Sequence, residues 1–414
     1  MIYDECMQFR RSLTCILLIT GVCLPALAGN NPDLCEAHDW FQMRDHVADG
    51  NASLLCKGAV DASFENRDAA ERELETVIQK QPHSASSYRA HEILSTMYLR
   101  EGRYRQAAAQ LDQMLVEKPD AEDVQAAHSL FAVLTRYPDQ TVASSEPSTL
   151  RGETIEDNLF IPVSAHGITG TYIVDTGANL SMMCESEAHR LGLKLDTTST
   201  KVADIGGKDA AVRIAVVPDL WIGKTHLKHV AFIVTSDAAM PFVELPEGHK
   251  GVLGIQVLIA LGTIRISRDN RVDIGVGPAP ASAKVVPLAF DSAMPVTQMS
   301  LNGKALNFTF DTGASTTYLG PVFASAFPDL MRTGSKKDHK LTGVNGSTTQ
   351  DSSELPSVRF QLGKEVELKP ATVMLEASFM NSEWSVGNLG YDLISQAIPI
   401  TIDFRAMQLR VEDR

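Results

Sequence analysis

The feature that most constrains this chain is a repeated motif in its second half. Val-Asp-Thr-Gly-Ala at residues 174–178 reappears as Phe-Asp-Thr-Gly-Ala at residues 310–314, which is 136 residues later. A second motif, Val-Leu-Gly at residues 252–254, returns at the same offset as Asn-Leu-Gly at residues 388–390. Two motifs that share one offset predict that a unit of about 120 residues is duplicated, because chance repeats do not keep a common spacing.

The residues around these motifs alternate between apolar and polar side chains. Residues 263–267 alternate in this way, a turn follows at residues 269–270, and the alternation resumes at residues 272–274. The same pattern recurs at residues 400–411. A period of two with an intervening turn predicts β-hairpins. The second half is therefore expected to be mainly β, with one lobe at residues 158–276 and a second at residues 285–414.

The first half has a different period. Between Arg89 and Pro119, apolar residues recur every three or four positions around Gly102, which predicts a helical hairpin. This stretch resembles a tetratricopeptide repeat in the spacing of Leu94, Tyr98, Gly102, Tyr104, Ala107, Leu111 and Pro119. We expect a helical segment at residues 33–137, with an ordinary helical bundle as the alternative. Because about three such repeats are needed for an independent core, the segment should pack against something else.

A polar stretch separates the two halves. Residues 138–157 contain two prolines, three serines and few large apolar side chains. This composition is typical of a linker.

The N-terminus predicts export. Arg10 and Arg11 precede an apolar run at residues 13–28, which ends in the small-x-small pattern that signal peptidase cuts. We expect residues 1–28 to be a signal peptide cleaved after Ala28, and the protein to be periplasmic or secreted. An uncleaved membrane anchor is the alternative, and the run disfavours it because it is shorter than the ~20 residues that span a bilayer.

Export decides how the cysteines are interpreted. Removal of the signal peptide leaves Cys35, Cys56 and Cys184 in a compartment that permits disulfides. Cys35 and Cys56 are the candidate disulfide, and two buried thiols are the alternative. No Cys-x-x-Cys motif occurs, which argues against a zinc ribbon or a redox centre. We expect no metal and no cofactor.

The repeated motif carries the chemistry. Each half resembles a lobe of the retropepsin-like aspartic proteases, through Asp-Thr-Gly-Ala and the later apolar-apolar-Gly, over about residues 155–414. Peptide hydrolysis without a metal needs one carboxylate that takes a proton from water and one carboxylic acid that gives a proton back. Two adjacent carboxyl groups share a proton and so supply both roles. The resemblance implies that Asp175 and Asp311 are this catalytic pair.

The resemblance also implies roles for residues around the pair. Thr176 and Thr312 would each hydrogen-bond to the opposite lobe. Four glycines would allow close packing of the site loops: Gly177, Gly313, Gly254 and Gly390. Four further glycines lie where the family has its flaps over the substrate, although an ordinary glycine-rich turn explains them equally well: Gly206, Gly207, Gly343 and Gly346.

The chain also departs from the family pattern. Retropepsins follow the later glycine with an arginine that pairs with an acid, and here Ile255 and Tyr391 stand at that place. The loops must therefore be held in another way. Gln256 and Asp392 differ between the lobes, so the cleft need not be symmetric.

These observations predict an exported aspartic endopeptidase acting on a peptide or protein substrate. One alternative is a catalytically inert binding or scaffold protein whose helical segment docks a partner. Another is an enzyme that pairs its lobes between two chains. The helical segment could recruit a protein partner or block the cleft as a pro-segment. Lys and Arg number 37 against 51 Asp and Glu, a net charge of −14, which argues against nucleic acid as a partner.

Overall fold

A computed structural model describes most of the chain. The described residues are 39–50, 52–155, 157–196, 200–203, 209–277, 280–343, 346–376 and 384–413. The expected signal peptide, Cys35 and the flap glycines Gly206 and Gly207 lie outside the described residues. None of the helices in the described part of the chain is both long and apolar enough to span a bilayer.

The N-terminal segment is helical, as its period predicts. Its helices are α1 (Trp40–Ala48), α2 (Leu54–Ser63), α3 (Arg67–Lys80), α4 (Ala85–Arg100), α5 (Tyr104–Glu117) and α6 (Glu122–Leu134). Ser84 begins α4 by accepting the N–H of Ser87 at 3.1 Å. Gly102 allows the turn between α4 and α5 because its φ of +72° suits a residue without a side chain. The hairpin predicted from residues 89–119 is therefore present, and its assignment as a tetratricopeptide repeat stays a prediction.

The rest of the chain is mainly β, as expected. The strands of its first part are β1 (Thr141–Ser144), β2 (Ser148–Arg151), β3 (Glu153–Ile155), β4 (Asn158–Ala165), β5 (Ile168–Val174), β6 (Ser181–Cys184), β7 (Thr200–Ala203), β8 (Asp209–Ile222), β9 (Thr225–Thr235), β10 (Gly251–Leu253), β11 (Thr263–Ile266) and β12 (Arg271–Ile274). Two helices lie among them, α7 (Glu185–Arg190) and α8 (Ile255–Leu261).

The second part repeats the first. Its strands are β13 (Lys284–Asp291), β14 (Met294–Leu301), β15 (Lys304–Phe310), β16 (Tyr318–Leu319), β17 (Ser335–Gly343), β18 (Gly346–Leu355), β19 (Val358–Leu362), β20 (Lys364–Leu368), β21 (Ala371–Met374), β22 (Gly387–Leu389), β23 (Ile400–Asp403) and β24 (Gln408–Val411). Its helices are α9 (Pro321–Ala326), α10 (Pro328–Met331) and α11 (Tyr391–Ala397). β4, β5, β10 and α8 reappear as β14, β15, β22 and α11 at the offset of 136 residues, so the duplication extends to the elements themselves.

Each lobe places one short strand between two others. In lobe 1, β10 runs parallel to β5 and antiparallel to β6. In lobe 2, β22 runs parallel to β15 and antiparallel to β16. The loops that carry the two Asp-Thr-Gly motifs follow β5 and β15 directly. The two motifs are therefore held at equivalent edges of two similar sheets.

The lobes are joined by a shared sheet. Strands β13, β24, β23, β11, β12 and β2 lie side by side in that order. At its centre β11 pairs antiparallel with β23, with Ile264 opposite Ile402 and Ile266 opposite Ile400. These two pairs exchange under the offset of 136, which places a pseudo-twofold axis between the lobes.

The polar stretch expected to be a linker belongs to the sheets instead. β1 pairs with β9, β2 with β12, and β3 with β4. The residues of β1 are all exposed, as in an edge strand. Pairing at a sheet edge uses backbone N–H and C=O groups, so it requires few apolar side chains, and composition alone does not predict it.

The helical segment packs on both lobes, as its low repeat number predicts. Towards lobe 2, the indole N–H of Trp40 donates to Asp291 Oδ1 at 3.0 Å. Arg100 donates to the carbonyl oxygen of Ser292, and its guanidinium carbon lies 4.4 Å from the centre of the Phe290 ring. These contacts join α1 and α4 to the turn between β13 and β14.

Towards lobe 1, the segment contacts the helix α8. The hydroxyl of Tyr104 donates to Gln256 Oε1 at 3.1 Å, and Gln256 Nε2 donates to the carbonyl oxygen of Leu99. Gln140 Nε2 donates to the backbone oxygen of Gln256 at 3.1 Å. The apolar core of the helices continues into the lobe 1 sheet, so helices and lobe share one core.

Candidate active site

Asp175 and Asp311 face each other across the pseudo-twofold axis. Asp175 is 2% exposed and Asp311 is 0% exposed. A Cβ added to Gly177 would lie 2.7 Å from the carboxyl carbon of Asp311, and one added to Gly313 would lie closer still to that of Asp175. Each carboxyl group therefore lies against the backbone of the opposite Asp-Thr-Gly loop, and glycine is required there because a side chain would overlap the partner carboxylate.

Backbone N–H groups hold both carboxylates in the same way. Asp175 Oδ1 accepts from the N–H groups of Gly177 at 2.8 Å and Ala178 at 3.1 Å. Asp311 Oδ1 accepts from Gly313 and Ala314, both at 3.0 Å. Two donors on one oxygen orient each carboxyl group within its own loop.

The two threonines cross between the lobes, as the family resemblance implies. The hydroxyl of Thr176 donates to the carbonyl oxygen of Phe310 at 2.6 Å and accepts from the N–H of Thr312 at 3.0 Å. The hydroxyl of Thr312 makes the reciprocal pair, with Val174 at 2.6 Å and Thr176 at 3.1 Å. These four buried hydrogen bonds fix the distance between the two loops.

The later glycines support the loops from behind. A Cβ at Gly254 would come within 2.6 Å of the backbone of Leu180, and one at Gly390 within 2.7 Å of the backbone of Thr316. The N–H of Gly254 donates to Ser181 Oγ at 3.0 Å, and that of Gly390 donates to Thr317 Oγ1 at 2.9 Å.

The residues that replace the family arginine use their backbones. The N–H of Ile255 donates to the carbonyl oxygen of Ala178 at 2.8 Å, and that of Tyr391 donates to Ala314 at 2.7 Å. These bonds tie α8 and α11 to the Asp-Thr-Gly loops without the ion pair of the retropepsins.

Burial and mutual repulsion perturb the dyad. The pKa of Asp175 is raised well above its usual value, first by burial and then by the charge of Asp311. Burial also raises the pKa of Asp311, to about 6, while hydrogen bonds from Asn388 and the backbone oppose the rise. When one carboxyl group is ionised and the other is protonated, the pair holds one proton and offers an acid and a base together.

Asn388 is the site residue that sequence reasoning missed. Its amide Nδ2 donates to Asp311 Oδ2 at 3.3 Å. The signal was present in the repeat, because Asn388 replaces Val252 in an otherwise apolar-apolar-Gly motif. A polar residue at a buried position that is apolar in the other copy indicates a specific hydrogen-bond partner.

Gln256 and Asp392 differ because they serve different neighbours. Gln256 contacts the helical segment, as described above. Asp392 Oδ1 instead accepts from the N–H of Thr317 at 2.9 Å, and from its hydroxyl at 2.5 Å. The helical segment therefore accounts for one asymmetry between the lobes.

A hairpin lies where each flap is expected. In lobe 2, β17 and β18 are paired up to Gly343 and Gly346, which face each other at the tip. In lobe 1, β7 and β8 are paired up to Ala203 and Asp209, and Gly206 and Gly207 fall in the interval outside the described residues. A flap role for these four glycines stays a prediction.

The duplicated lobes, the crossed threonines and the paired aspartates define a bilobal aspartic protease fold within one chain. The aspartyl protease family model matches it twice, over residues 161–257 and 297–393. Each of the two lobes thus matches the aspartyl protease family, in agreement with the resemblance inferred from the motifs.

Comparison with solved structures finds a crystal structure of a retropepsin-like aspartic protease from Rickettsia conorii. It is 18% identical, with a TM-score of 0.23, over 33% of this chain and 92% of that chain. A comparison with curated proteins gives no match.

Proposed function

We propose that this protein is an exported aspartic endopeptidase, which hydrolyses peptide bonds with a water molecule activated between Asp175 and Asp311. The observation that carries the proposal is the facing pair of carboxyl groups, each with one oxygen bound by two N–H groups of its own loop. Membership of both lobes in the aspartyl protease family supports a peptidase. Retention of both aspartates argues against an inert relative.

The reaction follows from the shared proton. The ionised carboxylate removes a proton from water, and the water oxygen attacks the peptide carbonyl carbon. The protonated carboxyl group gives its proton to the carbonyl oxygen, which yields a neutral tetrahedral diol. A proton then passes to the amide nitrogen, the C–N bond breaks, and a carboxylic acid and an amine leave. Neither metal nor covalent nucleophile takes part.

Export and the helical segment complete the proposal. The N-terminal charge and apolar pattern support a cleaved signal peptide, followed by action in the periplasm or outside the cell. The helical segment would act as part of the enzyme body, since Trp40, Arg100 and Tyr104 bind it to both lobes. A protein partner would bind to these helices, next to the catalytic lobes.

The test uses the full mature chain. Purified protein is incubated with a peptide library between pH 4 and 8, and cleavage sites are mapped by mass spectrometry. We expect internal cleavage that is inhibited by a statine-type transition-state analogue. Asp175→Asn and Asp311→Asn, purified in parallel, should be inactive. Cleavage that persists in either variant would contradict the proposal.

The inert scaffold remains the competing function, and the same material decides between them. A scaffold would neither cleave the library nor bind the statine analogue. It would retain partners equally well in the wild type and in both aspartate variants.

A further inference from the structure

The two carboxyl groups differ in one direct contact. Both Oδ1 atoms accept two backbone N–H groups, so the loops themselves are symmetric. Asp311 Oδ2 additionally accepts from Asn388 Nδ2. The corresponding residue in lobe 1 is Val252, whose side chain has no polar atom.

Asn388 is held in the orientation that this contact needs. The hydroxyl of Thr309 donates to Asn388 Oδ1 at 2.5 Å, which occupies the amide oxygen and turns the NH2 group towards Asp311. Asn388 is 3% exposed, so water does not compete freely for the amide. In lobe 1 the residue that corresponds to Thr309 is Ile173, which makes no such bond because its side chain is a hydrocarbon.

The asymmetry extends across three strands. Asn388 lies opposite Thr309 and Tyr318 in the register of β15, β22 and β16. Val252 lies opposite Ile173 and Met182 in the equivalent register of lobe 1. Paired residues project to the same face of a sheet, so a polar row stands beside Asp311 and an apolar row at the corresponding place in lobe 1.

We infer that Asn388 is a positioning residue that holds Asp311 as the carboxylate which deprotonates water, and so leaves the shared proton on Asp175 as the acid. The inference rests on the proposed function and adds the direction of proton transfer. A hydrogen bond to the ionised form favours that form, and an apolar surrounding disfavours it.

Burial raises the pKa of both carboxyl groups, and the hydrogen bond from Asn388 opposes that rise at Asp311. The pKa of Asp311 is raised to about 6, and that of Asp175 is raised well above its usual value. Among the described residues, Asp175, from the loop after β5, hydrogen-bonds to Asp311, and the charge of Asp311 acts on Tyr318, on β16. Burial and the charge of Asp311 raise the pKa of Tyr318, so its phenol stays neutral.

The principal test is Asn388→Val, which places the lobe 1 residue in lobe 2. In this variant the ionised Asp311 carboxylate loses a charge-assisted hydrogen bond, both in the singly and in the doubly ionised dyad. The doubly protonated dyad loses only a weaker bond to a neutral carboxyl group. The acid limb of the kcat/KM profile should therefore move up by about 1 pH unit, with about a tenfold loss of kcat/KM below it. The alkaline limb should stay in place. Thr309→Val, which releases the amide, should move the acid limb in the same direction by less.

The reciprocal change gives the opposite signature. Val252→Asn together with Ile173→Thr adds an amide and its anchor beside Asp175. The doubly ionised dyad then gains a hydrogen bond, so the alkaline limb should move down while the acid limb moves little. Asn307→Val is the matched control. It also replaces an asparagine by valine, but on β15, where the amide oxygen of Asn307 accepts from Gln298 at 2.9 Å. It should move neither limb.

The pH dependence of binding of a statine-type inhibitor, followed by calorimetry, gives a second readout, and thermal melts confirm folding. An active wild type with an unmoved acid limb in Asn388→Val would overturn the inference and leave the proposed function intact. Equal movement in Asn307→Val would also overturn it, because the effect would then be structural. If the wild type cleaves nothing and binds no inhibitor, the proposed function itself fails. Should Asn388→Val not fold, Thr309→Val carries the test alone.

Discussion

The N–H of Thr176 donates to Thr312 Oγ1, and the N–H of Thr312 donates to Thr176 Oγ1, at 3.1 and 3.0 Å. Each hydroxyl also donates to a carbonyl oxygen of the opposite lobe, so loss of either hydroxyl leaves two buried groups without this partner. The spacing of the catalytic loops thus depends on two hydroxyl groups.

Thr176→Val should therefore lower the free energy of unfolding by about 2–4 kcal/mol, because the N–H of Thr312 and the carbonyl oxygen of Phe310 lose their partner. Urea denaturation of the mature protein measures this loss. Thr176→Ser keeps the hydroxyl and serves as the control. Equal stability of the Val and Ser variants would show that the crossing bonds contribute little.

Asp175→Asn and Asp311→Asn should each abolish hydrolysis, since either change removes the shared proton together with one of its two sites. The double variant should be no worse than the single ones, because residues that act as a unit are not additive.

Mixing the two inactive variants separates one-chain sites from two-chain sites. Both aspartates of the described site lie in one chain, so the mixture should stay inactive. Activity that returns on mixing would support lobes paired between chains.

The sequence predicts much of this site because the chain is duplicated, so each motif can be compared with its copy 136 residues away. Asp175 and Asp311 are found together by motif and offset, and the fold places them at equivalent edges of two sheets. The threonines and glycines next to them follow from the same motif. Local sequence suffices here because the loop geometry is set by residues adjacent in the chain.

The contacts that break the symmetry were not predicted. Asn388 is 77 residues from Asp311, and Gln256 is 152 residues from Tyr104. Such contacts depend on how elements pack, and one sequence shows only that a residue differs between the copies. The strands in residues 138–157 were missed for a related reason, since edge pairing uses the backbone.

The dyad should make stability fall as the pH rises. The pKa of Asp311 is raised to about 6 by burial, against ~3.9 for an unfolded chain. Between these values the folded state binds more protons than the unfolded state, so the free energy of unfolding declines as the pH increases. The pKa of Asp175 is also raised, so its ionisation contributes to the decline with the same sign.

Urea midpoints at half-unit steps between pH 4 and 7 measure this dependence. The double variant Asp175→Asn/Asp311→Asn has no carboxyl group in the dyad, so this ionisation cannot lower its stability. It should therefore gain stability relative to the wild type as the pH rises. Parallel curves for the two proteins would contradict the raised pKa values.

The disulfide stays a prediction that export makes testable. Cys56 is buried on α2, and Cys35 lies outside the described residues. A bond between them would close a loop of about 20 residues and contribute roughly 3 kcal/mol by restricting the unfolded chain. Non-reducing peptide mapping of exported protein should find the cross-linked peptide. Alkylation of both thiols without reduction would exclude it.

Docking of the helical segment on lobe 1 should depend on the pair Tyr104 and Gln256. Tyr104→Phe removes the hydrogen bond to Gln256 and should cost about 1 kcal/mol of unfolding free energy. Gln256→Leu removes the acceptor of the Tyr104 hydroxyl and one donor to the Leu99 carbonyl oxygen, so we expect a cost of about 2–3 kcal/mol. In the double variant the hydroxyl is absent, and the two costs should sum to less than the separate values.

Tyr98→Phe is the matched control for this cycle. The ring of Tyr98 lies under the Arg103 guanidinium within the helical segment, with 4.4 Å from the guanidinium carbon to the ring centre. Its substitution should combine additively with Gln256→Leu. Additive costs for Tyr104→Phe as well would mean that the hydrogen bond does not couple helices to lobe. A Tyr104-specific coupling of about 1 kcal/mol would show that this hydrogen bond stabilises the contact between the helices and lobe 1.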